Sequence, residues 1–263
     1  MIRFLFIVVS IMSLGVFTFD HKAVPTSNSE VPSEVVAEAE FDTNILHVQF
    51  CGDTLPLHLS QVAKRYQTAI KFYDHPSFQR TRSRARREMK LIEPILKKHG
   101  IPADFKYIPY IESAMNPEAV SPRGAAGYWQ FMPATAQGLG LVVNDEVDER
   151  KDLIKSTKAA AKYLKWLYSQ LGDWTLVAAA YNAGPNKIIR QMDLQDDDDY
   201  FDLKLSRETS KYVFRLVAVK EWTNRPEYCH EWTKTETLPR IARFMKQQKE
   251  LADGPALAMA DSL

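Results

Sequence analysis

Ten residues, Trp174 to Ala183 (WTLVAAAYNA), carry no charge on any side. A helix of that kind has no face to offer water, so other elements must cover it all round. It is expected at the centre of the fold, closed by Gly184-Pro185 in the order of a C-cap glycine and a proline. The chain has material enough to bury it: 45% of its 263 residues are hydrophobic, which supports a substantial core. Tyr181 and Asn182 are polar tips on this oily helix, and once buried their hydroxyl and amide need partners.

The surrounding segments read as helices joined by short loops, which predicts a mainly α domain over about residues 60–225. Val62, Tyr66, Ile70 and Tyr73, then Met89, Ile92, Ile95 and Leu96, recur at helical spacing, with Pro76 dividing them into two helices. The run Arg80, Arg82, Arg84, Arg86 and Arg87 lies between these apolar sets and reads as a solvated basic face. Ser156 to Leu171 is amphipathic, with Ala160, Tyr163, Leu164, Leu167 and Leu171 on one side. A last helix is expected from Ser206 through Trp222, with Tyr212, Leu216 and Val219 on its apolar side, and residues 226–263 read as a peripheral C-terminal tail.

The N-terminus has another character. Residues 1–19 begin with Arg3 and continue without charge from Phe4 to Phe19, the pattern of a signal peptide or N-terminal anchor. That run is shorter than the roughly 20 residues that comfortably span a bilayer. Residues 20–44, with Pro25, Pro32, serines and scattered acids, form a flexible linker. Residues 45–99 are an extended and then helical region, and 100–225 the main domain. A formal net charge of +1 gives no field that argues for nucleic acid. Cys51 and Cys229 lack metal-site spacing and make no disulfide framework, so no metal or cofactor is expected.

One stretch places an acid among apolar residues. Glu112 follows Ile108, Tyr110 and Ile111 and precedes Ala114-Met115, and Asn116-Pro117 is expected to stop its helix. Asp104 is placed to cap that helix. Burial disfavours a carboxylate and raises its pKa, and a helix C-terminus adds a negative dipole end; together they suit a proton donor near neutral pH. On Glu112 alone, a surface acid at the edge of a buried stripe explains the pattern equally well. The turn-rich Ser121 to Gly127 follows, then a helix from Pro133 to Leu139.

Four segments decide between those readings: Glu112-Ser113; Gly124 to Ala136 (GAAGYWQFMPATA); Ala180 to Gly184 (AYNAG); and Glu208 to Val213 (ETSKYV). In type, order and spacing this set resembles the SLT-domain lytic transglycosylases of bacterial cell walls, and the tryptophan before Gln130 is similar to that of their membrane-bound D subgroup. No wall-binding LysM repeat of that subgroup follows in these 263 residues. The resemblance implies a goose-type lysozyme-like fold, export to the periplasm or cell envelope, peptidoglycan glycan strands as partner, and cleavage of the N-acetylmuramic acid–N-acetylglucosamine β-1,4 bond. It also implies a single catalytic acid at the position of Glu112 and 1,6-anhydromuramic acid ends. An ordinary glycosidase uses two carboxylates; here Asp145, Glu146, Asp148, Glu149 and Asp152 read as a solvated polar stretch.

Substrate-binding positions carried over from the resemblance are Ser113, Ser121, Gln130, Met132, Tyr181, Asn182 and Tyr212. Gln130 offers an amide that both donates and accepts, and Tyr212 is implied to bond the acid. The residues alone also allow Ser113 to fix the helix end, Ser121 to be a turn residue, Met132 and Trp129 to be core, and Tyr212 to be one more member of an apolar side. The competing functions are a hydrolytic lysozyme-like muramidase on the same fold and a non-catalytic wall-binding protein.

Overall fold

A computed structural model describes residues 41–257. The signal or anchor expected at 1–19 and most of the expected linker lie outside the described residues. Among those described, ten α-helices and one small hairpin give the mainly α class expected, and no helix is long and apolar enough to cross a membrane.

The chain enters through a 3-10 turn, Thr43–Leu46, and a hairpin of β1 (Gln49–Phe50) and β2 (Asp53–Thr54). Ile45, Val48, Phe50, Leu55 and Leu57 are buried, so this segment packs across the helical body. Two helices follow, α1 (Ser60–Tyr73) and α2 (Pro76–Lys98). Pro76 opens α2 from its first turn, where its missing N–H is no loss. The arginine run therefore lies inside α2, with Arg80, Arg86 and Arg87 exposed and Arg82 turned inward onto the Trp222 carbonyl.

A 3-10 turn, Ala103–Tyr107, leads into α3 (Ile108–Ser113). Asp104 does not cap α3. Its carboxylate instead accepts from the Cys51 amide at 2.7 Å and Lys220 Nζ at 2.7 Å, a stronger offer than one capping bond because one donor is charged. After α4 (Pro133–Gly138), α5 (Leu153–Leu171) starts earlier than Ser156, because the Asp152 carboxylate accepts from the Lys155 amide and caps it.

Helix α6 (Trp174–Ala183) has the bounds expected, with Leu176 to Ala180 buried. It packs against α5, α7 (Pro185–Gln195) and α8 (Thr209–Asn224). The whole of α7 is absent from the sequence reading. Gly184, at φ 88°, turns the chain, and Pro185 opens a new helix instead of ending the old one. Helix α8 begins at Thr209, whose amide is received by the Ser206 hydroxyl at 3.3 Å. It is buried on nearly every side, so it is a second central helix rather than an amphipathic one.

The C-terminal segment is not peripheral at its start. In α9 (Pro226–Thr233), Cys229 and Trp232 are fully buried. The Trp232 ring stands edge-on to Tyr66 at 4.8 Å and its Nε1 donates to the Ile45 carbonyl, so α9 closes the core over α1. Truncating a buried indole of this kind costs about 3–5 kcal/mol. Helix α10 (Thr237–Leu257) follows. Both cysteines are free, and burial pushes both thiols up.

Candidate active site

Helix α3 is short, and it ends at Ser113 rather than at Asn116. Ala114 (φ 51°) and Met115 (φ 59°) are successive left-handed residues, a conformation costing L-residues other than glycine about 1–2 kcal/mol each. Their amides bond back to the Tyr110 and Pro109 carbonyls, and Met115 buries its side chain; both offset that strain. Glu112 is thereby held at the penultimate position of the helix, half-buried. The Tyr212 hydroxyl, from α8, donates to Glu112 Oε1 at 2.6 Å.

Burial pushes the Glu112 carboxyl up; the Tyr212 bond and the Arg215 charge oppose this, the Glu208 charge adds to it, and the net direction is upward. Among the described residues one other carboxyl is pushed up, that of Glu221, again by burial. Glu221 is bound by Arg225 at 2.7 Å. Glu112 stands in no such ion pair among the described residues.

The loop beside it is fixed by side chains bonding successive backbone carbonyls. Gln130 Nε2 donates to the Gly127 carbonyl at 2.9 Å, Ser113 Oγ to that of Tyr128 at 3.0 Å, and the Tyr181 hydroxyl to that of Trp129 at 2.6 Å. From the far side, Arg150 Nη1 reaches the Gly124 and Phe131 carbonyls at 2.8 and 3.0 Å, while its other nitrogens hold Asp148. Gln130 itself is left-handed, at φ 49°, the sort of strain a well-determined surround can hold.

These bonds change what the expected binding residues have left to offer. Both Gln130 amide hydrogens are used, the second on the Ala119 carbonyl, so Gln130 presents an acceptor only. Ser113 is buried and spends its hydroxyl on Pro109 and Tyr128, which makes it a helix-end tie. Asn182 joins α6 to α8 through Glu208 and Thr209. Ser121 accepts the Ala125 amide as a turn residue, and among the described residues its hydroxyl hydrogen has no acceptor. Met132 is 42% exposed and so is not core, whereas Trp129 is buried and donates to Thr157. The acids of the polar stretch are engaged or exposed: Asp148 holds Arg150, Glu149 holds Lys155, Asp152 caps α5, and Asp145 and Glu146 face solvent. Arg150, buried within that stretch, is the residue the sequence hides, because a charge in a polar run carries no mark of burial.

A family model described as Transglycosylase SLT domain matches residues 90–203. Residues 90–203 are thus the stretch of this chain that is similar to an SLT domain. Glu112, Gln130 and Tyr181 lie inside it, and Tyr212 beyond it. The chain is 30% identical over 178 residues to the membrane-bound lytic murein transglycosylase D of Escherichia coli K12, covering 65% of this chain and 39% of that protein. It is 33% identical over 110 residues to the membrane-bound lytic murein transglycosylase F of Pasteurella multocida, covering 37% and 21%. A crystal structure of the 70 kDa soluble lytic transglycosylase of E. coli is matched at 25% identity with a TM-score of 0.45, over 57% of this chain and 25% of that one. The chain thus spans under half the length of the curated relatives it matches.

Proposed function

We propose that the protein is a peptidoglycan lytic transglycosylase of the cell envelope, cleaving the β-1,4 bond between N-acetylmuramic acid and N-acetylglucosamine with formation of 1,6-anhydromuramic acid ends. The observation that carries this reading is a half-buried Glu112, its carboxyl pushed up by burial, within the stretch that matches the SLT-domain model and with the Tyr212 hydroxyl 2.6 Å from its carboxyl oxygen. Glu112 gives its proton to the leaving glycosidic oxygen. As carboxylate it then takes the proton of the muramoyl 6-hydroxyl while that oxygen attacks C1, so one group serves both steps. The nucleophile belongs to the substrate and is already in place, which supplies the advantage of an intramolecular reaction.

Around this chemistry, the free acceptor of Gln130 and the free hydroxyl hydrogen of Ser121 are the polar contacts offered to the sugar, and Met132 offers an exposed apolar one. Ser113, Tyr181 and Asn182 act by holding the loop and helix ends. Digestion of purified sacculi is expected to release muropeptides one water lighter than hydrolysis products, read by mass spectrometry. Reducing ends alone would reject the ring closure in favour of a hydrolytic muramidase.

Tyr212→Phe tests the pair. Its hydroxyl favours the charged carboxylate, so its loss raises the Glu112 pKa further. A general acid is active while protonated, so the alkaline limb of the pH–rate profile is expected to move to higher pH, together with a roughly ten-fold lower kcat from the loosened acid. An unmoved limb would exclude Tyr212 as the tuning partner.

A further inference from the structure

Beside α3 lies a cavity of about 430 Å³ that the SLT domain does not account for. It is set at the corner between α1 and α2, mostly on residues before 90, outside the family match. Its floor is aromatic: Tyr73, Phe78 and Tyr110 have ring centroids 5.2–6.4 Å apart. Phe72 stands on its rim, at right angles to Tyr73 and 68% exposed. Lys71 and His75 add polar edges.

Rings below and hydrogen-bonding groups at the margin match a pyranose, whose axial C–H groups are apolar and whose hydroxyls and acetamido group point outward. The cavity also borders the end of the helix that carries the acid. Ala114, two residues past Glu112, lines it, and Tyr73 forms one wall while its hydroxyl accepts from Arg215, the cation whose charge Glu112 feels. Resting on the function proposed above, we infer that this corner is a further sugar subsite, holding a pyranose of the same glycan strand away from the scissile bond, with Phe72 as its stacking platform.

The test is calorimetric binding of a β-1,4-linked N-acetylglucosamine hexamer to the full chain carrying Glu112→Gln, which separates binding from turnover. Adding Phe72→Ala is expected to weaken the hexamer about five- to ten-fold, as loss of one stacked ring would, and Phe72→Trp to restore it. Thermal melting should be unchanged, since the ring is exposed. Equal affinity in Phe72→Ala, an equal loss in Phe72→Trp, or no hexamer binding by any form would overturn the subsite. Should the wild type release no anhydro-ended fragments while the dependence on Phe72 holds, the proposed reaction fails and the subsite stands.

Discussion

Glu112→Gln is expected to lower the release of muropeptides from purified sacculi by roughly 10²- to 10⁴-fold, the usual worth of a positioned acid–base group. Glutamine keeps the shape and still accepts from the Tyr212 hydroxyl, so only the transferable proton is removed. Stability should move the other way. Burial raises the folded-state pKa of Glu112 above its ordinary 4.5, so between those values the folded chain binds more protons than the unfolded one. Stability from this group is present at low pH and lost as pH rises through the folded-state value. A neutral amide in place of the acid carries no such loss, so the variant is expected to melt at or above the wild type at pH 7, with the difference closing below about pH 4. Wild-type activity in the variant would remove Glu112 from the mechanism. A lower melting temperature at every pH would make it a structural residue instead.

An acid of this kind is legible in the sequence only with company. A glutamate among isoleucines and tyrosines fits an edge of the core as well as a catalyst, and only the resemblance carried by the motifs around it favours the catalyst. Helix α6 was readable to its bounds because a segment without charge allows one placement. Helix α7 was not, since Gly184-Pro185 has the same signature whether it ends a helix or turns the chain into a new one. Trp232 escaped for a related reason: α9 buries only Cys229 and Trp232, and a single i, i+3 pair makes no period. Tyr212 fits the packed side of α8 and the acid equally well by spacing, and only its 2.6 Å bond to Glu112 separates the two. The loop is the least legible part. Its shape comes from Arg150, Gln130, Ser113 and Tyr181 bonding to backbone, and backbone partners leave no trace in a sequence.

Gly127→Ala is expected to be the most damaging small change in that loop, and Gly124→Ala measures how much of the damage is steric. Both glycines are left-handed, at φ 76° and 84°, so each alanine carries a conformational penalty of about 1–2 kcal/mol. At Gly124 a Cβ meets nothing within 4 Å. At Gly127 it would lie 1.9 Å from the Arg150 carbonyl oxygen and 2.4 Å from its carbon. These are backbone atoms of the segment whose Arg150 side chain holds the Gly124 and Phe131 carbonyls, so relief requires parting the two strands of chain that shape the site. Urea unfolding should therefore show Gly127→Ala destabilised by about 3 kcal/mol or more, well beyond Gly124→Ala. Activity should fall with it even where the protein stays folded, because the Gly127, Tyr128 and Trp129 carbonyls that anchor Gln130, Ser113 and Tyr181 would shift together. Equal losses in the two variants would mean that the contact with Arg150 is soft, and that the loop is held by its side-chain bonds rather than by the close approach of two backbones.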